Sequence, residues 1–276
     1  LTVREALRDA GRELKAAGCD SPHVDAELLL GHALRVSRTE LYAASERALT
    51  GEEERTFRAL VARRSQREPA AYILGEWAFR GLALCVDSRV LVPRPETEVV
   101  VERALEHVRD VAAPLVLDVG TGSGAIALAV ASEHPGARVV ATDISADALA
   151  VAAENRSRAD LEARVELVLG HLVAGLRGPF DLVVSNPPYV SAEEFEALPP
   201  EIRLYEPREA VVGAGQTGNV ARRAFDVLRP SGWLVLECGD GQAPDVQAEL
   251  RALGYEDVTS FEDLAGRERG VEARRP

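Results

Sequence analysis

Apolar positions recur along this chain with two different periods. Val3, Leu7, Ala10, Leu14 and Ala17 are spaced alternately by four and three, which lines one face of a helix, and Gly18 stands where such a helix would stop. Ser21 and Pro22 supply an N-cap and a first-turn proline for a second helix carrying Leu28, Leu29 and Leu30. Ser37 with Glu40, and Thr50 with Glu53, have capping-box spacing and predict two more helix starts. Residues 1–75 therefore read as a small helical bundle.

The pattern changes from Ala71 to Val92, where Tyr72, Ile73, Trp77, Phe79, Leu82, Leu84, Val86, Val90 and Leu91 are interrupted by Gly75, Gly81 and Asp87-Ser88. Apolar runs cut by turn residues predict a β hairpin between two domains, ended by Pro93 and Pro95; its span is taken as 76–95. A helix near Glu98–Val108 is followed by β-rich runs at Leu115–Val119, Arg138–Thr142, Arg164–Leu169, Phe180–Ser185 and Trp233–Glu237, with helical patterns after several of them. Such alternation requires crossovers, hence an α/β fold with a mostly parallel sheet covered on both faces. The runs around Tyr255–Phe261 and Gly270–Ala273 are close enough to finish the sheet as an antiparallel pair. The second domain is then 96–276.

Composition agrees with this reading: 276 residues with 46% hydrophobic and 5% aromatic positions suit a core of Ala, Val and Leu in parallel strands. A net charge of −13 disfavours unassisted binding to nucleic acid. Cys19, Cys85 and Cys238 are odd in number and far apart, suggesting neither a disulfide framework nor a zinc site. His23, His32, His107 and His134 show no ligand spacing either. The N-terminal stretch is too charged for a signal peptide and no apolar run reaches membrane-spanning length, so a cytoplasmic protein with no membrane contact is expected. Oligomeric state is not legible; a monomer is the simplest expectation.

Two segments carry candidate cofactor chemistry. LVLDVGTGSGAIALAV places Asp118, Gly120, Thr121, Gly122, Ser123 and Gly124 between a strand and a helix, where glycines let the backbone turn and approach a ligand. Gly120, Gly122 and Ala125 also satisfy the loose dinucleotide fingerprint, and a plain tight turn is the simplest alternative. Asp143 ends the next strand, where a carboxylate can accept both ribose hydroxyls; alternatively it caps the helix beginning near Ser145. Together these features indicate an adenosine ligand, with S-adenosylmethionine and NAD both admissible.

FDLVVSNPPYV distinguishes the two. A buried strand runs into Asn186, Pro187, Pro188 and Tyr189, and in an open α/β sheet this strand end and the glycine loop face one crevice. An amide or aromatic amine nitrogen is a poor nucleophile because its lone pair is delocalised, so methylating it demands tight positioning. The Asn186 side-chain oxygen and the Pro187 carbonyl can each take one N–H of an NH2 group, and two prolines stiffen that fork. The Tyr189 ring can pack on a planar acceptor. The plainer alternative is an Asn-Pro turn that only ends a strand.

With these residues in place the chain resembles the release-factor glutamine N5-methyltransferases, the PrmC/HemK family, nearly end to end: SPHVDAELLL, GEWAFRGLALCVDSRVLVPRPETE, DVGTGSG, NPPY, the YEP segment Tyr205–Pro207, ECGDGQ and DLAGRER. NPPY is shared with adenine and guanine amino-methyltransferases of nucleic acids; VPRPETE is far more specific to the glutamine group. The resemblance implies a Rossmann-like class I methyltransferase sheet behind a helical substrate-docking domain. It implies S-adenosylmethionine held by Asp118, Gly120–Gly124, Asp143, Leu172 and Asn186, and a glutamine acceptor gripped by Asn186–Tyr189. The substrate it implies is the GGQ loop of peptide chain release factors; a glutamine on a ribosomal protein, or a nucleic-acid base, is the alternative. Arg94, Glu96, Thr97 and Glu98 should approach the cavity, with helix-capping roles equally open for Thr97 and Glu98. Departures from the family pattern are His171 and Leu172, where an acidic and an aromatic residue are usual, and VVGAGQTGN, to which no role is transferred.

Overall fold

The helices and strands follow from the two periods described above. The computed structural model describes residues 1–276. The helices of the first part are α1 (Val3–Ala16), α2 (Pro22–Leu34), α3 (Arg38–Ala43), α4 (Gly51–Ser65) and α5 (Ala70–Leu74). Next come β1 (Glu76–Phe79), β2 (Leu82–Cys85), α6 (Thr97–Val108), β3 (Leu115–Val119), α7 (Ala125–Glu133), β4 (Arg138–Asp143), α8 (Ala146–Arg158), β5 (Val165–Leu169) and β6 (Phe180–Ser185). The chain finishes with α9 (Ala192–Phe195), α10 (Pro200–Tyr205), α11 (Gln216–Val227), β7 (Leu228–Glu237), α12 (Ala243–Ala252), β8 (Glu256–Glu262) and β9 (Glu268–Arg274).

Two compact units result, Leu1–Glu76 with Pro199–Tyr205, and Trp77–Leu198 with Glu206–Pro276. In the helical unit, capping boxes open α3 and α4 at Ser37 and Thr50, and a third opens α1 at Thr2 with Glu5. Ser21 sits at the cap of α2 with no side-chain bond, leaving Pro22 as the start signal. Leu29 and Leu30 are buried beside Leu14, Phe57 and Val61, whereas Leu28 faces outward, because successive helical positions lie about 100° apart. The return of Pro199–Tyr205 departs from a contiguous second domain, and ion pairing accounts for it: Glu201 receives Arg64 at 2.9 Å and Arg67 at 2.6 Å. Arg64, itself buried, also binds Asp25 at 2.8 Å, and Tyr205 donates to the Gln66 carbonyl.

The expected hairpin begins later than Ala71. Residues 70–74 form α5 instead, closed by Gly75 at φ 76°; a short apolar run such as Ala71-Tyr72-Ile73 fits a buried helix as well as a strand. The two paired strands are β1 and β2, turned through the left-handed pair Arg80 and Gly81.

The large sheet of the second unit has the order β5-β4-β3-β6-β7-β9-β8. All of its pairs are parallel from β5 through β7, while β9 runs antiparallel to both β7 and β8. Chain order reverses between β3 and β6, since β3 crosses to β4 on one side and β6 lies on the other. Such a switch point opens a crevice at the carboxyl ends of the strands. β7 starts at Leu228, earlier than the apolar run at Trp233 suggests, and pairs with Phe180 before a register shift. Thus Phe180, Leu182, Val183, Leu234 and Leu236 are packed out of water.

Candidate active site

A cavity of about 330 Å³ lies in this crevice, within the second unit; that is the size of a small-molecule cofactor site. Its wall takes Val119 and Gly120 from the end of β3, Thr142 and Asp143 from β4, Gly170 after β5, and Ser185, Asn186, Pro187 and Pro188 from β6. His171 and Leu172 also line it. The crossover topology alone therefore brings together Gly120, Gly122, Asp143, Leu172, Asn186, Pro187 and Pro188.

The glycine loop is a preformed cradle. Gly120 and Gly122 have φ of 74° and 56°, and a Cβ on either would meet nothing within 4 Å, so both turn bare backbone toward open space. Gly120 and Thr121 N–H groups donate to the Thr142 carbonyl at 2.8 and 2.9 Å, tying the loop to β4. Asp143 accepts from Gly122 N–H at 2.8 Å through one oxygen and from Ser145 N–H at 2.9 Å through the other. Capping of α8 falls to the Ser145 hydroxyl, which accepts from Ala148 N–H. Asp143 is thereby a carboxylate fixed on the cavity wall and not the helix cap.

Asp118, Thr121, Ser123 and Gly124 do not reach the cavity wall. Asp118 is fully buried; one oxygen accepts from Thr121 Oγ1 at 2.6 Å and Ala127 N–H at 3.2 Å, and the other has no partner. Burial pushes its carboxyl up to about 7, against those two hydrogen bonds. It braces the loop from behind. Asn155, on α8, braces the loop from another side, donating to the Ser123 carbonyl at 2.9 Å and the Cys85 carbonyl at 3.0 Å while accepting from Cys85 N–H at 2.6 Å. A polar side chain on the buried face of a predicted helix was the available signal for it.

The Asn186 loop is held by its neighbours. Asn186 Nδ2 donates to Thr97 Oγ1 at 3.3 Å, and Thr97 Oγ1 donates to Glu237 Oε2 at 2.7 Å. Glu237 is buried, and burial pushes its carboxyl up to about 7, opposed by the Thr97 hydrogen bond and the charge of Arg269. Gly213 lies flat on Pro188, where a Cβ would come within 2.7 Å of the ring, and a bridge joins Val190 to Val212. That gives the VVGAGQTGN segment a structural purpose. Tyr189 is not among the residues lining the cavity: its ring packs on Gly239, its carbonyl accepts from Gln242, and burial with the Glu237 charge pushes its phenol up to about 12.

The VPRPETE residues divide. Arg94 binds Glu206 of the YEP segment at 2.6 and 2.8 Å. Glu96 pairs with Arg267 at 3.3 Å, and Glu98 accepts from Arg80 N–H at 3.2 Å. Thr97 is the first residue of α6 and not its cap, its hydroxyl being committed to Glu237. Ile144, on the cavity wall and 66% exposed, was not singled out from sequence; an isoleucine directly after a strand-end aspartate was the signal.

A seven-stranded sheet with one antiparallel strand, a glycine loop after β3, an acidic end to β4 and an NPPY turn after β6 define a class I methyltransferase. Solved structures with this fold include a Pyrococcus furiosus methyltransferase (TM-score 0.51, 20% identity, covering 71% of this chain and 89% of that one). The hMettl16 catalytic domain is another (TM-score 0.56, 18% identity, 79% and 83%). Residues 5–75 match the PrmC N-terminal domain and residues 98–227 the methyltransferase small domain. The chain belongs to the release factor glutamine methyltransferase family. Proteins so named from Caulobacter vibrioides and Deinococcus radiodurans are each 42% identical to it, over 98% and 100% of this chain and 96% and 99% of theirs.

Proposed function

We propose that this chain transfers the methyl group of S-adenosylmethionine to the side-chain amide nitrogen, N5, of the glutamine in the GGQ loop of peptide chain release factors. The observation that carries the reading is the Asn186 amide, held with its nitrogen toward Thr97, on the same cavity wall as Gly120, Gly122 and Asp143. End-to-end likeness to release factor glutamine methyltransferases supports the acceptor.

The residues fit the cofactor. Both Asp143 oxygens are preoriented by backbone N–H groups and retain lone pairs for two ribose hydroxyls. Ile144 and Leu172 offer aliphatic surface to a base, and the bare faces of Gly120 and Gly122 admit the remainder. S-adenosylmethionine supplies an electrophilic methyl group on a sulfonium.

Asn186 Oδ1 and the Pro187 carbonyl accept the two N–H groups of the glutamine amide, turning its nitrogen toward the methyl carbon. As the N–C bond forms, the methyl–sulfur bond breaks with its electron pair left on sulfur, so that S-adenosylhomocysteine departs; nitrogen becomes cationic, and these two oxygens stabilise that charge more strongly than the neutral amide. The nitrogen, now strongly acidic, then loses a proton to water, with no dedicated side-chain base. Tyr189 serves by packing under the loop and not by titrating, its phenol staying protonated near neutrality.

In this reading residues 1–75 dock the release factor, residues 76–95 link, and residues 96–276 catalyse. Exposed Val24, Leu28 and Tyr42 give the helical unit apolar surface for docking. No helix is long and apolar enough to cross a membrane, and a release-factor substrate places the reaction in the cytoplasm. Incubation with methyl-labelled S-adenosylmethionine and purified release factor should label the factor. Label on ribosomal protein or nucleic acid instead, with none on release factor, would reject the assignment.

A further inference from the structure

We propose that Thr97 and Glu237 are positioning residues that fix which end of the Asn186 amide faces the acceptor. The proposal rests on the methyl-transfer reading above. Thr97 opens α6, Glu237 ends β7 and Asn186 follows β6, so three separate elements converge. Ser185 and Leu236 are register partners in the parallel β6–β7 pair, which sets residues 186 and 237 side by side.

The argument is one of hydrogen-bond polarity. Above about pH 7, where the Glu237 carboxyl is ionised, it only accepts, and a hydroxyl has a single proton. Thr97, 4% exposed, spends that proton on Glu237, 2% exposed, at 2.7 Å. Its oxygen can then only accept from the group on its other side, so at 3.3 Å it requires the NH2 of Asn186 and not the carbonyl. The remaining end, Oδ1, is left for the cavity, where a glutamine NH2 needs an acceptor. With the amide reversed, two NH2 groups would oppose each other and the fork would lose one arm. Oxygen and nitrogen of an asparagine are nearly isosteric, so nothing in the shape of the site prevents that reversal; the relay does.

A buried carboxylate at the end of a core strand carries a desolvation cost that an apolar residue would not. Its single-proton neighbour converts that cost into a fixed direction for Asn186. Arg269 and Arg94 act on the Glu237 carboxyl by lowering its pKa and Glu96 by raising it.

The test uses the full chain with release factor and labelled S-adenosylmethionine in four variants. T97V keeps size and removes the relay, T97S keeps the hydroxyl, E237Q removes the compulsory acceptor, and N186A controls for the reading itself. T97V should lower kcat about tenfold or more, the worth of one preorganised hydrogen bond. Affinity for S-adenosylhomocysteine, measured by calorimetry, should stay near wild type, and T97S should restore turnover. E237Q should fall between T97S and T97V. Should T97V fail to fold, T97A makes the same comparison by deleting atoms only.

Wild-type turnover in T97V with loss in N186A overturns this inference and leaves the proposed function standing. Wild-type turnover in both variants removes the proposed function as well. Impairment of T97S equal to that of T97V, or a T97V loss matched by lost S-adenosylhomocysteine affinity, also overturns the inference. E237Q at wild-type turnover removes Glu237 from it.

Discussion

Replacing Asn155 with alanine should loosen the glycine loop without touching the cavity. Asn155 is 1% exposed and its side chain makes three hydrogen bonds, two to Cys85 and one to the Ser123 carbonyl. N155A deletes all three and leaves two carbonyls and one N–H without their partner. A buried polar group stripped of its partner costs ~1–3 kcal/mol; water can reach the half-buried Cys85 groups and offset part of that. The sum is ~2–4 kcal/mol, which lowers Tm by about 5–15 °C in a domain of this size. Because Ser123 belongs to the loop, S-adenosylhomocysteine should also bind about tenfold more weakly, equivalent to ~1.4 kcal/mol of lost loop order. Asn155→Asp should be worse than alanine, since it buries a charge against two carbonyl oxygens. Urea unfolding and calorimetry on the full chain measure both effects. An N155A protein within ~0.5 kcal/mol of wild type, with unchanged ligand affinity, would refute the reasoning that this side chain staples the loop.

Gly122→Ala puts a side chain at φ 56° on the cavity wall; it should cost only ~1–2 kcal/mol of stability while sharply weakening S-adenosylhomocysteine binding, and retained affinity in calorimetry would contradict the cradle. Gly213→Ala drives a Cβ into Pro188, so turnover on release factor should fall with cofactor affinity kept, and unchanged kinetics would show that the NPPY loop yields. Glu237 has a folded-state pKa raised to about 7 from 4.5, so its contribution to stability is fully present below about 4.5 and is lost as pH rises through about 7. Relative to E237Q, the wild type should lose ~3 kcal/mol across that window at ~1.4 kcal/mol per pKa unit, read from urea unfolding at several pH values; parallel profiles would mean the carboxyl titrates normally.

The parts of this fold legible in sequence are those set by local pattern. Leu115–Val119 and Phe180–Ser185 are strands over the expected residues, because short β-rich runs between helical patterns leave a parallel sheet as the only economical arrangement. Ser37 and Thr50 announced their helices through capping chemistry, and Thr2 with Glu5 carried the same readable signal unremarked. Ala71–Ile73 misled because three apolar residues have no period. At the site, strand ends named Gly120, Asp143 and Asn186 together, since one topology rule brings them to one crevice. Asp118 was legible as a conspicuous acid but not as a buried brace, which depends on packing around it. Nothing local joins Thr97 to Glu237, 140 positions apart, or to Asn186, 89 apart. Likewise Gly213 against Pro188 exists only once the chain has folded.

Peptide mapping of release factor after reaction with methyl-labelled S-adenosylmethionine tests the central claim most directly. The account predicts one labelled peptide, the GGQ peptide, with the methyl on the glutamine side chain and no label when N186A replaces the wild-type chain. An unlabelled GGQ peptide, or equal labelling by N186A, would contradict it.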